Sequence, residues 1–552
     1  MTFLTDAIMT GTDWHALERV VARLMILAGW SNVSVIGGSG DKGADIIGVR
    51  DVDGHPKTWV VQVKAVIRGN YVGVSAVNEV IHAMSLYNSN IAVVATNGEF
   101  RKSTKKRQSA LKTEGFDVRL WNGQFLQSLI NQLPDYPASV KELRGYQSEI
   151  VDKAIQVYNN GEKRAYYIVA TGLGKTVIAA RIARYLWENG SRRFLVLCHA
   201  QDLALQLEQS FWAELSKEVP THVFIEGAPP LITDGINFGL YQSFYGYLGG
   251  VDPSSFDVVI VDEAHHAMAA GFRTCINHLN SRFLIGMTAT PWRGDGKSLN
   301  EVFGNPIAQV SLIDGMAMGY LSQVDYRLFC DNINWDLVPS LSKKRLSIRD
   351  LNKKLFIPQR DEAIISEIKK ACLNLSKPKI AIFSPSINHA RRFASMLGVS
   401  GISCVALSGQ TKVERRKMLL AFTTGRYNAV TAVDLLNEGI DIPDVNILVF
   451  LRATHSRRIF VQQLGRGLRL SPGKDKVIVL DFVSDIRRMA DIIQMNNDGK
   501  RKGEDYEVLY LKNGMVSFND LHAQEFVSEW LIDVADIGEY DDNEKLTFPE
   551  GL

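Results

Sequence analysis

Short apolar runs recur through the middle of the chain, and stretches with helical character separate them. The first group comprises YYIVAT, RFLVLCHA, DVVIVDEA and RFLIGMTAT, and the second comprises KIAIFSP, NAVTAV and NILVFLRA. Continuous apolar strands that alternate with helices are typical of parallel sheets covered on both faces. The pattern therefore predicts two doubly wound α/β domains in tandem.

Breaks in this pattern divide the 552 residues into parts. Two prolines in NQLPDYPASVKELRGYQ end an amphipathic segment near Gln132, and the basic, polar VPSLSKKRLSIRDLNKKLF separates the two groups of strands. After about residue 495 the pattern fades, and acidic residues outnumber basic ones. We predict an amino-terminal α/β domain at 1–135, sheet domains at 136–325 and 361–495 joined by a helical connector at 326–360, and an acidic accessory segment or tail at 496–552.

Composition excludes several classes of protein. No apolar run reaches the roughly 18–20 uncharged residues of a membrane helix, and MTFLTDAIMTGTDW lacks the basic and apolar regions of a signal peptide. The five cysteines contain no CxxC pair, which argues against a disulfide framework or a zinc site. We expect a cytoplasmic protein without a membrane partner, whose metal ions are held by carboxylates. Because the net charge is only +2, a basic surface for DNA would be local.

The loop VATGLGKT connects the strand AYYIV to the helical VIAARIARYLWENG. In that context, backbone N–H groups and a helix N-terminus cradle phosphate oxygens. Lys175 would reach the β- and γ-phosphates of ATP, and Thr176 would hold Mg²⁺. Val169 replaces the usual first glycine, so a glycine-rich turn without a ligand is the alternative for this loop alone. The residues assigned to ATP in this loop are Thr171, Gly172, Leu173, Gly174, Lys175 and Thr176.

Two later motifs carry charges suited to ATP hydrolysis. VVIVDEAHHA ends a strand with Asp262, which can hold Mg²⁺, and Glu263, which can polarise the attacking water. In QQLGRGLR, Arg466 and Arg469 share a helix face and could stabilise charge on the γ-phosphate. A helix N-cap or a solvated basic face is the alternative for each motif alone. The occurrence of all three motifs in this order along the chain favours an ATPase.

Residues from about 143 to 490 resemble a superfamily 2 helicase, of the group that includes restriction-enzyme motors, and this implies RecA-like sheet domains. ATGLGKT resembles motif I, DEAH motif II, MTATP motif III, IFSPS motif IV, NEGIDIP motif V and QQLGRGLR motif VI. The resemblance implies that Arg144 and Gln147 of LRGYQ contact the adenine and that Gly439 and Asp441 lie near the nucleotide. It also implies a nucleic-acid path along LCHAQDLALQ, LYQSF, TPWRG and LSG, with contacts mainly to phosphates.

The amino-terminal segment SGDKGADIIGVRDVDGHPKTWVVQVKAV predicts a β-hairpin with Asp53 and Gly54 at its turn. Opposed residues then have numbers that sum to 107, so Asp45 faces Gln62, and Lys64 lies on the same side of its strand. The other side would be apolar. An acid beside a lysine suits Mg²⁺-dependent phosphodiester hydrolysis, in which the carboxylate holds the cation. A solvent-facing side is the alternative for the hairpin alone.

Upstream, DWHALERVVARLMILAGW is an amphipathic helix, and its Glu18 borders the buried stripe. Over nearly all of residues 12 to 130 the pattern resembles the Mrr-type restriction endonuclease domain of the PD-(D/E)xK fold. The resemblance implies a nuclease site formed by Asp45, Gln62 and Lys64, with Glu18 as a fourth member and Asp45 as a ligand of Mg²⁺ or Mn²⁺. Gln62 replaces the second acid of the general nuclease pattern, as it does in the Mrr branch. FRKSTKKRQ would lie on a basic helix near the phosphates, and a solvated helical face is the alternative for this segment.

These resemblances imply an ATP-dependent DNA helicase or translocase fused to a Mg²⁺-dependent endonuclease that restricts foreign phage or plasmid DNA. DNA and ATP are the expected partners, and other defence-system subunits are candidates. Two alternatives remain. The first is a repair or remodelling helicase whose amino-terminal domain binds DNA without cutting it. The second is an RNA helicase, because the motor motifs do not select the polymer.

Overall fold

The computed structural model describes residues 2–36, 43–67, 69–138, 142–225, 227–289, 299–329, 345–347, 349–350, 361–373, 375–407, 412–433, 444–451, 465, 467–471, 474, 476–482, 516–518 and 545–547. The chain divides into two compact units. The first comprises Met1–Tyr167, Thr176–Met287 and Leu299–Ile307, and the second comprises Ile168–Lys175, Thr288–Ser298 and Ala308–Leu552. Among the described residues, no helix combines the length and the apolar character needed to cross a membrane.

The amino-terminal domain is built on a mixed sheet. Its elements are α1 (Asp6–Thr10), α2 (Trp14–Leu27), β1 (Ser31–Val35), β2 (Ile46–Val52), β3 (His55–Lys64), β4 (Tyr71–Val72), α3 (Val74–Tyr87), β5 (Ile91–Thr96), β6 (Glu99–Phe100), α4 (Lys102–Thr113), β7 (Asp117–Trp121) and α5 (Gly123–Gln132). Five strands form a sheet of order β1-β2-β3-β5-β7, while β4 and β6 form a separate ribbon. β1 and β2 pair antiparallel, as do β2 and β3, whereas β3 and β5 pair in parallel, as do β5 and β7.

Helices cover both faces of this sheet. On one face, α2 buries Leu17 and Leu24 in a core that includes Trp59. On the other face, α3 buries Val77 in a second core that includes Val60. Because neighbouring strand residues point to opposite faces, β3 contributes to both cores. The expectation of one apolar and one polar side is therefore wrong for most of β3, because α3 covers the second side.

The first sheet domain has seven strands in the order β10-β11-β9-β12-β13-β8-β14. Pairing from β10 through β13 in this order is parallel. Two short 3₁₀ helices, Leu248–Gly250 and Ala264–Met268, accompany the other elements. Those elements are α6 (Gly145–Asn159), β8 (Arg164–Val169), α7 (Lys175–Glu188), β9 (Arg193–Cys198), α8 (Gln201–Trp212), β10 (Thr221–Phe224), β11 (Gly235–Leu240), α9 (Tyr241–Tyr247), β12 (Val258–Asp262), α10 (Ala270–His278), β13 (Phe283–Thr288), α11 (Asn300–Phe303), β14 (Pro306–Val310) and α12 (Leu312–Ala317).

The second sheet also has seven strands, all parallel, in the order β18-β19-β17-β20-β21-β15-β22. The prediction of doubly wound parallel sheets is confirmed. The elements of this part are β15 (Gln323–Phe329), β16 (Arg345–Ser347), α13 (Asp361–Cys372), β17 (Ile380–Phe383), α14 (Ile387–Val399), β18 (Cys404–Leu407), α15 (Lys412–Thr423), β19 (Ala429–Ala432), β20 (Ile447–Phe450), β21 (Lys476–Phe482), β22 (Val516–Phe518) and β23 (Lys545–Thr547).

Two features of this part bear on the expected domain limits. β15 extends across the expected boundary at 325 and pairs with β21 of the second sheet. Two strands of the acidic carboxyl-terminal segment are also paired, since β22 adds to β15 and β23 pairs antiparallel with β16. The described parts of that segment therefore contribute strands. Most of the expected connector at 326–360 lies outside the described residues.

Within the first unit, a polar network joins the amino-terminal domain to the segment that follows α8. The Arg23 guanidinium donates to the carbonyl oxygens of Val219 (2.8 Å) and Ser216 (2.9 Å). It also lies 4.1 Å from the centre of the Phe3 ring. Burial lowers the pKa of Arg23 to about 9, and the charge of Glu208 opposes that shift. Arg23 thus places a buried charge at the junction of two domains.

Helix α8 provides the other side of this junction. Glu208 Oε2 lies 3.3 Å from Arg19 Nε, and Glu208 Oε1 accepts a hydrogen bond from the Thr221 hydroxyl at 2.7 Å. Burial raises the pKa of Glu208, while Arg19, Thr221 and Arg23 lower it. Trp212, the last residue of α8, packs in the same apolar cluster as α2. The core of the amino-terminal domain therefore includes a residue from the first sheet domain.

Candidate active sites

The hairpin formed by β2 and β3 has the register that the sequence predicts. Pairs run from Ile46 with Val61 to Val52 with His55, and every pair sums to 107. Asp53 and Gly54 have φ values of 56° and 78°, which suit a type I′ turn. A local turn thus determines which residues of the two strands lie opposite each other.

Asp45 and Gln62 meet at the open end of this hairpin. Asp45 Oδ2 accepts hydrogen bonds from Gln62 Nε2 at 2.6 Å and from the backbone N–H of Val63 at 2.5 Å. Both side chains are buried, with 3% and 4% of their surface exposed. The two donors fix the orientation of the Asp45 carboxylate. The predicted pairing of Asp45 with Gln62 is therefore present in the structure.

The amide oxygen of Gln62 gives this pair a further property. Gln62 Oε1 is buried and has no hydrogen-bond partner among the described residues. A buried polar atom without a partner is costly, and a hard cation prefers oxygen ligands. The described residues contain no group of three or more His, Cys, Asp or Glu side chains that could hold a metal ion. The candidate ligands at this end of the hairpin are therefore one carboxylate and one amide oxygen.

Lys64 is the last residue of β3, and its partner is a residue that sequence reasoning missed. Lys64 Nζ lies 2.6 Å from Glu79 Oε2, and both side chains are partly exposed. Glu79 belongs to α3, between the buried Val77 and Val80. The amphipathic pattern of α3 could have placed Glu79 at the edge of the buried face. It could not have indicated which strand residue Glu79 would meet.

Glu18, the fourth predicted member of this site, lies on α2. Its side chain is buried, with 1% exposed, and its Oε2 lies 3.6 Å from His15 Nδ1. His15 in turn stacks on the half-exposed Trp14, with ring centres 3.5 Å apart. Membership of Glu18 in the candidate site stays a prediction.

The loop before α7 has the backbone expected for a phosphate cradle. Gly172 and Gly174 have φ values of 90° and 83°, in the left-handed region that glycine adopts readily. Lys175 begins α7, which runs for 14 residues, and Thr176 follows it. Between the glycines, Leu173 is fully buried. The loop thus ends at a helix N-terminus, where backbone N–H groups favour an anion.

Within the second unit, this loop lies beside the described part of QQLGRGLR. A Cβ placed on Gly172 would lie 2.7 Å from the carbonyl oxygen of Gly465 and 3.4 Å from Arg469 Cγ. A Cβ placed on Gly465 would lie 2.8 Å from the carbonyl oxygen of Thr171. Arg469 also forms a β-bridge with Leu321. The structure therefore places Arg469 beside this loop, and its action on a γ-phosphate stays a prediction. Arg466, Gly439 and Asp441 lie outside the described residues.

Asp262 is the last residue of β12, and Glu263 follows it directly. Glu263 has a φ of 47°, a left-handed conformation that costs a residue other than glycine roughly 1–3 kcal/mol and is typical of functional sites. Its Oε2 lies 3.4 Å from Nδ1 of the buried His265. Burial, together with the charge of Asp262, raises the pKa of Tyr167 well above its usual range and that of Cys198 to about 12. Asp262 therefore lies among buried groups that sense its charge.

Arg144 and Gln147 are joined at the start of α6. The Gln147 side chain is buried, and its Oε1 accepts a hydrogen bond from the backbone N–H of Arg144 at 3.0 Å. Its Nε2 lies 3.4 Å from the hydroxyl of Tyr146. This contact fixes Gln147 as part of the helix N-terminus. An adenine contact through either side chain stays a prediction.

Family comparisons cover the three folded parts in turn. Residues 9–130 match the family of restriction endonucleases with the Mrr catalytic domain. Residues 140–293 match the family described as the Type III restriction enzyme, res subunit, and residues 360–471 match the helicase conserved C-terminal domain. The chain thus carries an Mrr-type restriction endonuclease domain, followed by the two domains that match these helicase and restriction-enzyme families. The two resemblances stated from the sequence are confirmed.

Individual proteins similar to this chain come from several organisms. The putative ATP-dependent helicase IRC3 of Saccharomyces cerevisiae is 25% identical over 366 residues, which cover 62% of this chain and 52% of the relative. The endonuclease subunit of the Type I restriction enzyme EcoAI from Escherichia coli is 26% identical over 415 residues, which cover 67% and 50%. The chain thus spans about half the length of these curated relatives.

A solved structure shares the fold of the nuclease–helicase chain. It is described as the ATP-dependent Type ISP restriction-modification enzyme LlaBIII bound to DNA. The match has a TM-score of 0.51 and 17% sequence identity, and it covers 88% of this chain and 37% of that one. At this identity the likeness concerns the fold alone.

Proposed function

We propose that this protein hydrolyses ATP to move along or unwind DNA and cuts DNA with its amino-terminal domain in the presence of Mg²⁺. One observation carries the nuclease half: Asp45 and the amide oxygen of Gln62, which has no hydrogen-bond partner among the described residues, lie together, buried, at the end of a hairpin that also carries Lys64. The family matches of both halves support their combination in one enzyme. By analogy with its restriction-enzyme relatives, the role is restriction of foreign phage or plasmid DNA in the cytoplasm.

The nuclease residues divide the work of phosphodiester hydrolysis. Asp45 and Gln62 Oε1 would hold a divalent cation, since both offer oxygen atoms and Gln62 Oε1 has no other partner among the described residues. A bound Mg²⁺ or Mn²⁺ supplies hydroxide at neutral pH and neutralises the charge on the attacked phosphate. Lys64 has three donors on a flexible stem, so its ammonium can orient water or contact a phosphate oxygen.

The ATPase residues would act in the same manner as in other phosphate-binding motors. The N-terminus of α7 and Lys175 would hold the phosphates, and Thr176 would hold Mg²⁺ together with Asp262. Glu263 would orient the attacking water. Arg469, beside the phosphate loop within the second unit, would stabilise charge on the γ-phosphate.

Nicking of supercoiled plasmid DNA tests the nuclease half. In Mg²⁺ or Mn²⁺, Asp45→Ala and Lys64→Ala should each lower the rate by at least about 100-fold, because each removes a group that acts in the chemical step. Lys57→Ala is the matched control, since Lys57 lies on the same strand as Lys64 but pairs across from Arg50 at the far end of the hairpin. Cleavage unchanged by the Asp45 and Lys64 substitutions would instead favour a domain that binds DNA without cutting it.

ATP turnover tests the motor half. Lys175→Ala and Glu263→Gln should abolish hydrolysis, and Glu263→Gln should still bind nucleotide, because it removes only the group that acts on the water. Comparing cleavage by the wild type and Lys175→Ala, with and without ATP, shows whether cutting needs the motor. If RNA but not DNA stimulates ATP hydrolysis, the nucleic acid on which the motor acts is RNA.

A further inference from the structure

One acidic residue touches both parts of the nuclease cluster without belonging to the expected set. The side chain of Glu79 meets the Lys64 ammonium at 2.6 Å. The backbone of the same residue meets Gly43, two residues before Asp45, because a Cβ on Gly43 would lie 2.4 Å from the Glu79 carbonyl oxygen. Gly43 has a φ of 94°, which allows this approach. Glu79 therefore contacts the turn that leads to Asp45 and also the end of the strand that carries Lys64.

The ion pair is poorly suited to a purely structural role. Lys64 and Glu79 side chains are 35% and 43% exposed, and exposed ion pairs contribute little to stability. Apolar contacts hold α3 to the sheet instead, through Val77 and Val80, which are fully buried. Removing the Glu79 carboxylate should therefore leave the helix in place and the domain folded.

Lys64 needs a fixed direction if it is to act on water or phosphate. Its stem has many rotamers and its ammonium has three donors, so one bond to a rigidly held acceptor restricts the stem and leaves two donors for the reaction. Glu79 meets this need, because α3 and the contact at Gly43 fix its backbone. We propose that Glu79 is a positioning residue of the nuclease site, which holds the Lys64 ammonium in its reactive direction. This inference rests on the proposed nuclease function.

Single-turnover nicking of supercoiled plasmid, measured across a Mg²⁺ titration, tests the proposal. Glu79→Ala should lower the cleavage rate at saturating Mg²⁺ by about 10–100-fold, because a misdirected catalytic group costs rate. DNA affinity, the Mg²⁺ concentration for half-maximal rate and the unfolding midpoint should stay unchanged. Glu79→Gln keeps an oxygen acceptor for Lys64 and should recover much of the rate. Glu114→Ala is the matched control, since Glu114 forms a similarly exposed ion pair with Arg107.

The outcomes separate this inference from the function on which it rests. If the wild type does not cut, or Lys64→Ala cuts like the wild type, the nuclease assignment fails and the role of Glu79 fails with it. If both behave as proposed and Glu79→Ala cuts at the wild-type rate, only the positioning role is overturned. A higher Mg²⁺ requirement in Glu79→Ala would make Glu79 a metal ligand, and a lower unfolding midpoint would make it structural. Either result also overturns the positioning role.

Discussion

Replacing Arg23 by alanine should separate the nuclease domain from the helicase domain on which it docks. The substitution removes the guanidinium that donates to the carbonyl oxygens of Val219 and Ser216. It also removes one of the cations near the buried Glu208. Because Arg23 is itself 3% exposed, the groups around it would lose their partner without gaining free access to water.

The size of the effect follows from these contacts. Hydrogen bonds to a charged group contribute about 1.5–3 kcal/mol each, and relief from burying the Arg23 charge offsets part of their loss. Glu208 keeps Arg19 as a partner at 3.3 Å, so the loss of the Arg23 charge adds only a smaller electrostatic cost. We therefore expect Arg23→Ala to lower stability by about 2–4 kcal/mol, mainly through its two hydrogen bonds. For a unit of this kind the unfolding midpoint should fall by the order of 10 °C.

Thermal unfolding of the full chain, followed by tryptophan fluorescence, measures this effect, because Trp30, Trp59, Trp121 and Trp212 all lie in the affected cluster. Arg50→Ala is the control. Arg50 lies 4.1 Å over the Trp30 ring at an exposed position, where such a contact contributes only about 0.5–1 kcal/mol. An Arg23→Ala midpoint equal to that of the wild type, or equal to that of Arg50→Ala, would refute the reasoning.

Two further predictions concern single residues. Burial raises the pKa of Glu208 above its unfolded value, so its contribution to stability is full below the unfolded pKa and is lost as the pH rises through the folded pKa. Glu208→Gln cannot ionise, so its unfolding midpoint relative to that of the wild type should increase as the pH rises above the unfolded pKa of Glu208. A difference that is constant with pH would contradict this. Gly172→Ala should abolish ATP turnover, because its Cβ would meet the Gly465 carbonyl oxygen at 2.7 Å in a backbone with φ of 90°. Gly161→Ala is its control, with a φ of 80° and open space around the added Cβ, and normal turnover by Gly172→Ala would show that the loop tolerates the methyl group.

A local rule predicted part of the candidate nuclease site. An Asp-Gly turn sets the register of one hairpin, and the position of Asp45 opposite Gln62 followed from that turn alone. This prediction required only the contacts within one hairpin.

Contacts across layers could not be predicted in this way. Glu79 reaches Lys64 from a helix packed over the sheet, and no register rule relates a helix residue to a strand residue. The arginines of α2 carried a readable signal, because Arg19 and Arg23 are four residues apart beside an apolar stripe. That spacing indicates a shared partner, but the partner, Glu208, lies on a distant part of the chain. The pairing of β22 with β15 is a further contact between distant parts of the chain. The sequence therefore did not show that the segment expected to be an accessory tail would add a strand to the second sheet.

Trp212 bears on how such an enzyme could be assembled by recombination. Trp212 lies in the sequence of the first sheet domain, at the end of α8. Its side chain nevertheless packs in the core of the amino-terminal domain, beside Leu17, Leu24 and Trp59. A gene fusion that carried only residues 1–135 to a new motor would leave a tryptophan-sized gap in the transplanted core and leave Arg23 without its acceptors. The inheritable unit is therefore the nuclease domain together with α8 and the segment up to Thr221. Exchange of nuclease domains between motors would therefore have to transfer this unit as a whole.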